Sequence, residues 1–278
     1  MSTLILTAQQ AVKYGQDVLG GKAWNMAWLT RQGFPVPDWC VLTTGAFSRQ
    51  IEVCGLREYI ASQVSLLDGS FDPEKVGQIA QSIQLEIAKY PLEKALREEI
   101  LQAIPAGKLS ANYFAVRSSV VGEDAEGASF AGQMDSHLFQ RGIDAICESV
   151  VEVMKSAFNQ RALLYRIQKG LPVNDIKASV IIQEMVEGQV SGVMFTAHPI
   201  TGCRHQALIS AAWGCGEGVV SGICNADEYT VDLFADRLQK IINEKDVALV
   251  FDQDSGRGTK EVQIEPERHK VACLSDSQ

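Results

Sequence analysis

The chain has 278 residues, of which 46% are hydrophobic and 21% charged. This is the composition of a folded protein with one large domain or two modest ones, and it excludes a disordered chain or a coiled coil. With 25 Lys and Arg against 34 Asp and Glu the net charge is −9, which excludes a global basic field for nucleic acid but leaves room for a local basic pocket. No apolar run approaches the ~20 residues that span a bilayer. The start, MSTLILTAQQ, has neither the basic segment nor the long apolar stretch of a signal peptide. A cytoplasmic chain without nucleic-acid or membrane partners is expected. The seven cysteines are scattered, odd in number and without a C-x-x-C pair, so they read as reduced, mostly buried small hydrophobes. His198, Cys203 and His205 lack the second ligand pair of a zinc site.

In chain order, a helix is predicted over residues 21–32, entered through Gly20-Gly21 and stopped by Gly33, Pro35 and Pro37. Trp24 and Trp28 lie four apart on one of its faces. A short buried strand is predicted over 36–43. A helical region follows from 44 to about 104, with Val76, Ile79, Ile83 and Ile87 as one core stripe and Leu96, Ile100 and Ile104 as another. A β-rich segment at 113–121, YFAVRSSVV, leads into the turn-rich GEDAEGASFAGQMDS. One long helix is predicted over 143–168, facing Ile146, Val150, Val153 and Ala157 inward. Strands over 178–186 and 190–197 flank Glu187-Gly188 as a hairpin candidate, a strand follows at 207–212, and 229–233 with 238–243 form a second hairpin. Hairpins mixed with helices point to an α+β fold rather than a regular βαβ winding.

Lys22 follows two glycines at a helix start, where backbone N–H groups and the helix dipole favour an anion. A Walker A loop is excluded, because Gln16 and Ala23 stand where it needs Gly and Ser or Thr. A solvent-facing lysine in a first turn explains the position equally well. Arg117, inside an apolar strand, is expensive to bury alone. Alternation puts it on the face of Ala115 and Ser119, away from Val116. It suits bidentate binding of phosphate, or an internal salt bridge. Gly122, Gly127 and Gly132, with Ser129 and Ser136, make a loop able to fold N–H groups over phosphate oxygens, or an ordinary surface loop. Gln183, Glu184 and Val186 sit at a strand end that could offer a backbone edge to an adenine. GCGEG at 214–218 fails the dinucleotide fingerprint because residue 219 is Val. Glu217 is open to the roles of cap, structural acceptor or polar contact near phosphate. The four histidines form no triad arrangement.

Read together, GGKAWNMAWLTRQGFPVPDW, FAVRSSVVGEDAEGASFAGQMDSHL, VIIQEMVEGQVSGVMFTAHPITG and SAAWGCGEGVVSGICNADEY resemble the N-terminal ATP-binding domain of phosphoenolpyruvate synthase and pyruvate phosphate dikinase. The HPITG and NADEY segments look closest to the rifampin phosphotransferase branch. The resemblance covers residues 19 to about 231 in collinear order. It implies an ATP-grasp fold with mixed and antiparallel sheets and flanking helices. ATP would lie between an N-terminal lobe, residues 1–200, and a C-terminal lobe, 201–278, that is incomplete. Carried over by position, Lys22 and Arg117 would hold the phosphates as the catalytic pair. The loop 122–136, through Gly132 and Ser136, would close over them. Gln183, Glu184 and Val186 would surround the adenine. Mg2+ would accompany ATP, and the β-phosphoryl group would pass to a histidine of a separate mobile domain.

The chain departs from the family pattern twice. No histidine stands in the Thr-Ser-His or Thr-Gly-His context of the family's phosphohistidine, so the phosphohistidine domain and the acceptor domain are expected to lie elsewhere. The sequence also stops at CLSDSQ, where the family's metal-binding carboxylate segment would begin, so the metal ligands are unassigned. The chain alone is therefore expected to bind ATP weakly and not to complete the reaction. A rifampin phosphotransferase-like ATP-binding domain and a non-catalytic regulatory ATP-grasp module are the alternatives.

Overall fold

The structure is a computed structural model and describes residues 4–67, 72–121, 134–235 and 237–275. Its packing divides the chain into two compact units, residues 1–185 and 186–278. The first unit runs β1 (Ile5–Thr7), α1 (Ala8–Ala11), α2 (Gln16–Arg31), β2 (Trp39–Leu42), α3 (Thr44–Val53), α4 (Leu56–Ser65), α5 (Pro73–Ile87), α6 (Lys94–Ala103), α7 (Ala106–Ala111), β3 (Phe114–Val120), β4 (Ser136–Gln140), α8 (Ile143–Ser156), α9 (Gln160–Gln168) and β5 (Ala178–Glu184). The strands form one antiparallel sheet in the order β1-β2-β5-β3-β4. Its two faces bury different partners. Cys40, Leu42, Phe114, Val116, Val180 and Ile182 join a large core with the stripes of α5 (Val76, Ile79, Ile83, Ile87), α6 (Leu96, Ile100) and α8 (Ile146, Val150, Val153). On the other face Leu6, Trp39, Val41 and Ile181 pack with Leu19, Ala23 and Ala27 of α2. Central β5 is therefore apolar on both sides, with Val180, Ile181 and Ile182 fully buried.

Two expectations from the sequence are corrected. The single helix over 143–168 is two helices. Ala157 and Phe158 turn into the core, and the Asn159 carboxamide oxygen accepts the Ala162 N–H (2.8 Å), starting α9 afresh. The hairpin around Glu187-Gly188 does not form. β5 pairs with β2 and β3, whereas the strand after it, β6 (Val190–Phe195), pairs with β7 (Gln206–Trp213) in another sheet.

The entrance of α2 is the device that positions its side chains. The helix kinks at Gly20, whose φ of 71° and ψ of 173° lie outside the helical region, so a fresh helical start follows at Gly21. The turn rests on two buried serines of the sheet. The Ser119 hydroxyl accepts the Ala23 N–H (3.0 Å) and donates to the Leu19 carbonyl (2.9 Å). The Ser179 hydroxyl shares its hydrogen between the Leu19 carbonyl and the Ser119 carbonyl, the latter at 3.1 Å. A Cβ on Gly20 would lie 2.3 Å from the Ser119 carbonyl oxygen. Only glycine meets both the left-handed φ and that approach.

The second unit contains β6, β7, α10 (Gly216–Ser221), β8 (Asp227–Asp232), β9 (Arg237–Ile241), β10 (Val247–Phe251) and β11 (Thr259–Gln263). Strands β6-β7-β8-β9 make an antiparallel sheet, and β10-β11 a hairpin. The hairpin predicted near 229–243 is present as β8–β9. The architecture of each unit is α+β with antiparallel sheets. Inside this unit Asp227 and Lys245 form an ion pair at 2.5 Å, both with side chains at 0% exposure. Asp227 Oδ1 also accepts the Asn243 N–H (3.1 Å), and Oδ2 accepts the Cys273 N–H (2.8 Å) and the Tyr229 hydroxyl (3.3 Å). Burial alone would push the Asp227 carboxyl up. The Lys245 ammonium and the backbone donors outweigh it and hold the carboxyl below its ordinary range. Among the described residues no helix is long and apolar enough to cross a membrane.

Gly20→Ala is expected to lower stability by on the order of 2–4 kcal/mol in urea unfolding, from the strained φ and the collision combined. Gly33→Ala shares the positive φ but meets nothing within 4 Å, and should cost only about 1 kcal/mol. Equal costs would contradict the close packing at Gly20. Lys245→Met leaves a buried carboxylate alone and should cost about 3–5 kcal/mol at neutral pH. The Asp227 contribution is fully present above the ordinary aspartate value of about 3.9 and is lost as pH falls below it through the depressed folded value. Without Lys245, burial pushes the Asp227 carboxyl up, so protonating it relieves the cost. Urea midpoints measured against pH should show the gap between the native chain and Lys245→Met narrow as pH falls, and a gap that does not change with pH would contradict the pair.

Candidate functional site

The site is built from the face of the first sheet that carries α2. Lys22 is the second residue after the Gly20 kink and is half-buried. Its neighbour Ala23 is tied to Ser119. Arg117 lies two positions back along β3 on the face of Ser119, about 6.6 Å away along the strand. It pairs across β5 with Ile181 and across β4 with Ser136. Ile181 belongs to the core under α2, so Arg117 and Ser136 share that face. Arg117 is half-buried and Ser136 exposed. Gln183 is two residues beyond Ile181 on β5 and opposite Ala115 of β3, again on this face. The fold therefore brings Lys22, Arg117, Ser136 and Gln183 to one side of one sheet.

The remaining predicted residues stand differently. Gly132 lies outside the described residues, as do Gly122, Gly127 and Ser129. Glu184 is the next residue along β5, so its side chain points to the opposite face. There its carboxylate accepts the Asn112 amide (2.6 Å) and the Lys108 ammonium (3.1 Å). Lys108 also contacts Asp38. The hydrogen bonds to Asp38 and then Glu184 raise the Lys108 ammonium above its ordinary range. The Glu184 N–H donates to the Asp38 carbonyl (2.8 Å) and the Met185 N–H to the Tyr113 carbonyl (2.8 Å). These two strand-end N–H groups are committed within the fold. Val186, 65% exposed, begins the second unit.

In the second unit the glycine cluster serves packing. Gly214 has φ +84° and its backbone approaches Leu249, where a Cβ would lie 2.3 Å from the carbonyl oxygen. Glu217 accepts the Thr259 hydroxyl (2.7 Å), the structural-acceptor role among the three left open. His198 Nδ1 faces the Ile200 and Thr201 N–H groups, and His205 stacks edge-on against Phe234 at 4.3 Å.

Sequence reasoning missed the seat itself. Ser119 and Ser179 were visible as hydroxyls inside apolar strands, and a buried hydroxyl needs a partner. That signal, with the side-chain-free pair Gly20-Gly21 able to approach a strand closely, could have pointed to them. Lys108, on the six-residue α7, and Asn112, just after its end, fix Glu184 but gave no signal, because they lie 76 and 72 residues from it in sequence.

Residues 16–278 match the family described as the pyruvate phosphate dikinase, AMP/ATP-binding domain. Among relatives, a rifampicin phosphotransferase of Bacillus subtilis is 34% identical over all of this chain and 32% of its own length. A probable phosphoenolpyruvate synthase of Archaeoglobus fulgidus is 36% identical over 94% of this chain and 34% of its own length. A phosphoenolpyruvate synthase of Pyrococcus furiosus is 31% identical over 97% of this chain and 38% of its own length. The chain thus spans about a third of the length of these relatives. The matched range takes in Gly20, Arg117 and Asp227, and the chain belongs to the pyruvate phosphate dikinase AMP/ATP-binding domain family.

Proposed function

We propose that this chain is the nucleotide-binding part of an ATP-dependent phosphotransferase of the dikinase type, with an ATP-grasp fold. The observation that carries this reading is the shared face: the helix start bearing Lys22 is fastened to Ser119, on the strand face that also carries Arg117. A helix N-terminus, an ammonium and a guanidinium on one face suit a polyphosphate. Ser136, opposite Arg117, adds a hydroxyl donor, and the loop through Gly132 would cover the phosphates. Gln183 stands four residues along β5 from Ser179, about 13 Å at strand spacing. That is a length over which an extended nucleoside triphosphate can reach, with its base toward Gln183.

In this reading Lys22 and Arg117 neutralise charge on the transferring phosphoryl group and hold it in line. The β-phosphoryl group passes to a histidine on a domain outside this chain, and a further domain binds the final acceptor. Mg2+ would accompany the nucleotide and would neutralise part of its phosphate charge. Among the described residues no group of three or more His, Cys, Asp and Glu side chains is arranged to hold a metal ion, so no residue is assigned to it. The final acceptor has two readings. Relatives named for rifampicin and for phosphoenolpyruvate match with similar identity, 34% and 36%, and the rifampicin phosphotransferase aligns over the whole chain.

Calorimetric titration with MgATP tests the reading. Lys22→Ala and Arg117→Ala should each weaken binding by about tenfold to a hundredfold, the loss of a charge-assisted contact worth roughly 1.5–3 kcal/mol. Wild-type affinity in both variants would remove the assignment.

A further inference from the structure

The first unit holds a cavity of about 150 Å3 on the sheet face opposite Lys22 and Arg117. Its floor is Ala8, Cys40, Ile104, Phe114 and Ile182, all buried in the core. Burial pushes the Cys40 thiol up to about 12, so the floor is uncharged at neutral pH. An apolar cavity of ~150 Å3 is large enough to take a benzene-sized ring.

The charged groups of the lining are Asp38, Lys108 and Glu184. They gather at the mouth, where the Asp38 side chain is 72% exposed. Lys108 bridges Asp38 and Glu184. One cation between two carboxylates leaves a formal charge of −1 over an apolar hollow. A second cation would balance that charge, an anion would double it, and a neutral polar group would leave it unchanged.

We propose that this cavity is a binding site for a small amine carried on a single six-membered ring. The ring occupies the space beside Phe114 and Ile182, and the ammonium stays at the mouth with Asp38 and Glu184. The site lies wholly within the first unit and needs no nucleotide, so it stands or falls separately from the proposed function.

The test is a titration of the full chain, carrying 13C-labelled isoleucine methyls, with benzylamine, benzyl alcohol and benzoate in the absence of ATP. Benzylamine is expected to shift the Ile104 and Ile182 methyl signals saturably, with at least tenfold tighter binding than benzoate. Asp38→Asn, at an exposed position, should cut the preference for benzylamine over benzyl alcohol severalfold. Ala103→Leu, which fills the cavity from the end of α6, should abolish the shifts. The proposal is overturned by the absence of saturable shifts at these two methyls, by benzoate binding as tightly as benzylamine, or by an unchanged preference in Asp38→Asn.

Discussion

One buried hydroxyl organises the sheet face that carries α2. Ser119 takes the Ala23 N–H on one side and gives its hydrogen to the Leu19 carbonyl on the other. A helix start holds unsatisfied N–H groups, and the kink before it turns a carbonyl inward. Both would be costly in an apolar interior without partners. Ser119 satisfies one of each, and Ser179 reinforces the carbonyl. The result is a helix entrance held in register with a strand, so a cation on the helix and a cation on the strand cannot drift apart. Preorganisation of this kind is what an electrostatic site needs, since the groups do not have to be gathered when the ligand arrives.

The sheet beneath separates two environments. Successive residues of β5 alternate between them, so Gln183 shares a face with Arg117 while Glu184 turns to Lys108 and Asn112. A strand with apolar residues on both sides can only sit at the centre of a covered sheet. That position lets neighbouring residues at its end serve opposite surfaces. In the second unit the equivalent organising element is ionic. Asp227 collects donors from Lys245, Asn243 and Cys273, joining β8 to the segment before β10 and to the C-terminal stretch.

Much of the first unit was legible in the sequence. The paired glycines before Lys22 marked the helix entrance because a helix cannot begin smoothly through a left-handed residue. The alternation in FAVRSSV placed Arg117 with Ser119 because side chains on a strand repeat every two residues. What escaped was strand partnership. Residues 178–186 and 190–197 both read as strands, and a short polar link between them suggests a hairpin. The difference lies in burial: β5 is apolar at consecutive positions, while β6 leaves Met194 and Phe195 exposed at 58% and 44%. The break at Asn159 was legible only as a polar residue in a helical run, since its capping role depends on Phe158 being drawn into the core. Lys245 was invisible in principle. Within NEKDV it looks like a solvent-facing lysine, and only the fold brings Asp227 to it.

The central claim is that Lys22 and Arg117 act on one polyphosphate, and a double-mutant cycle in MgATP affinity tests it most directly. Two cations on the same phosphate chain should be coupled, so the loss in the Lys22→Ala, Arg117→Ala double variant should differ from the sum of the single losses by roughly 0.5–3 kcal/mol. Strict additivity, or a double variant that binds MgATP as the native chain does, would contradict it.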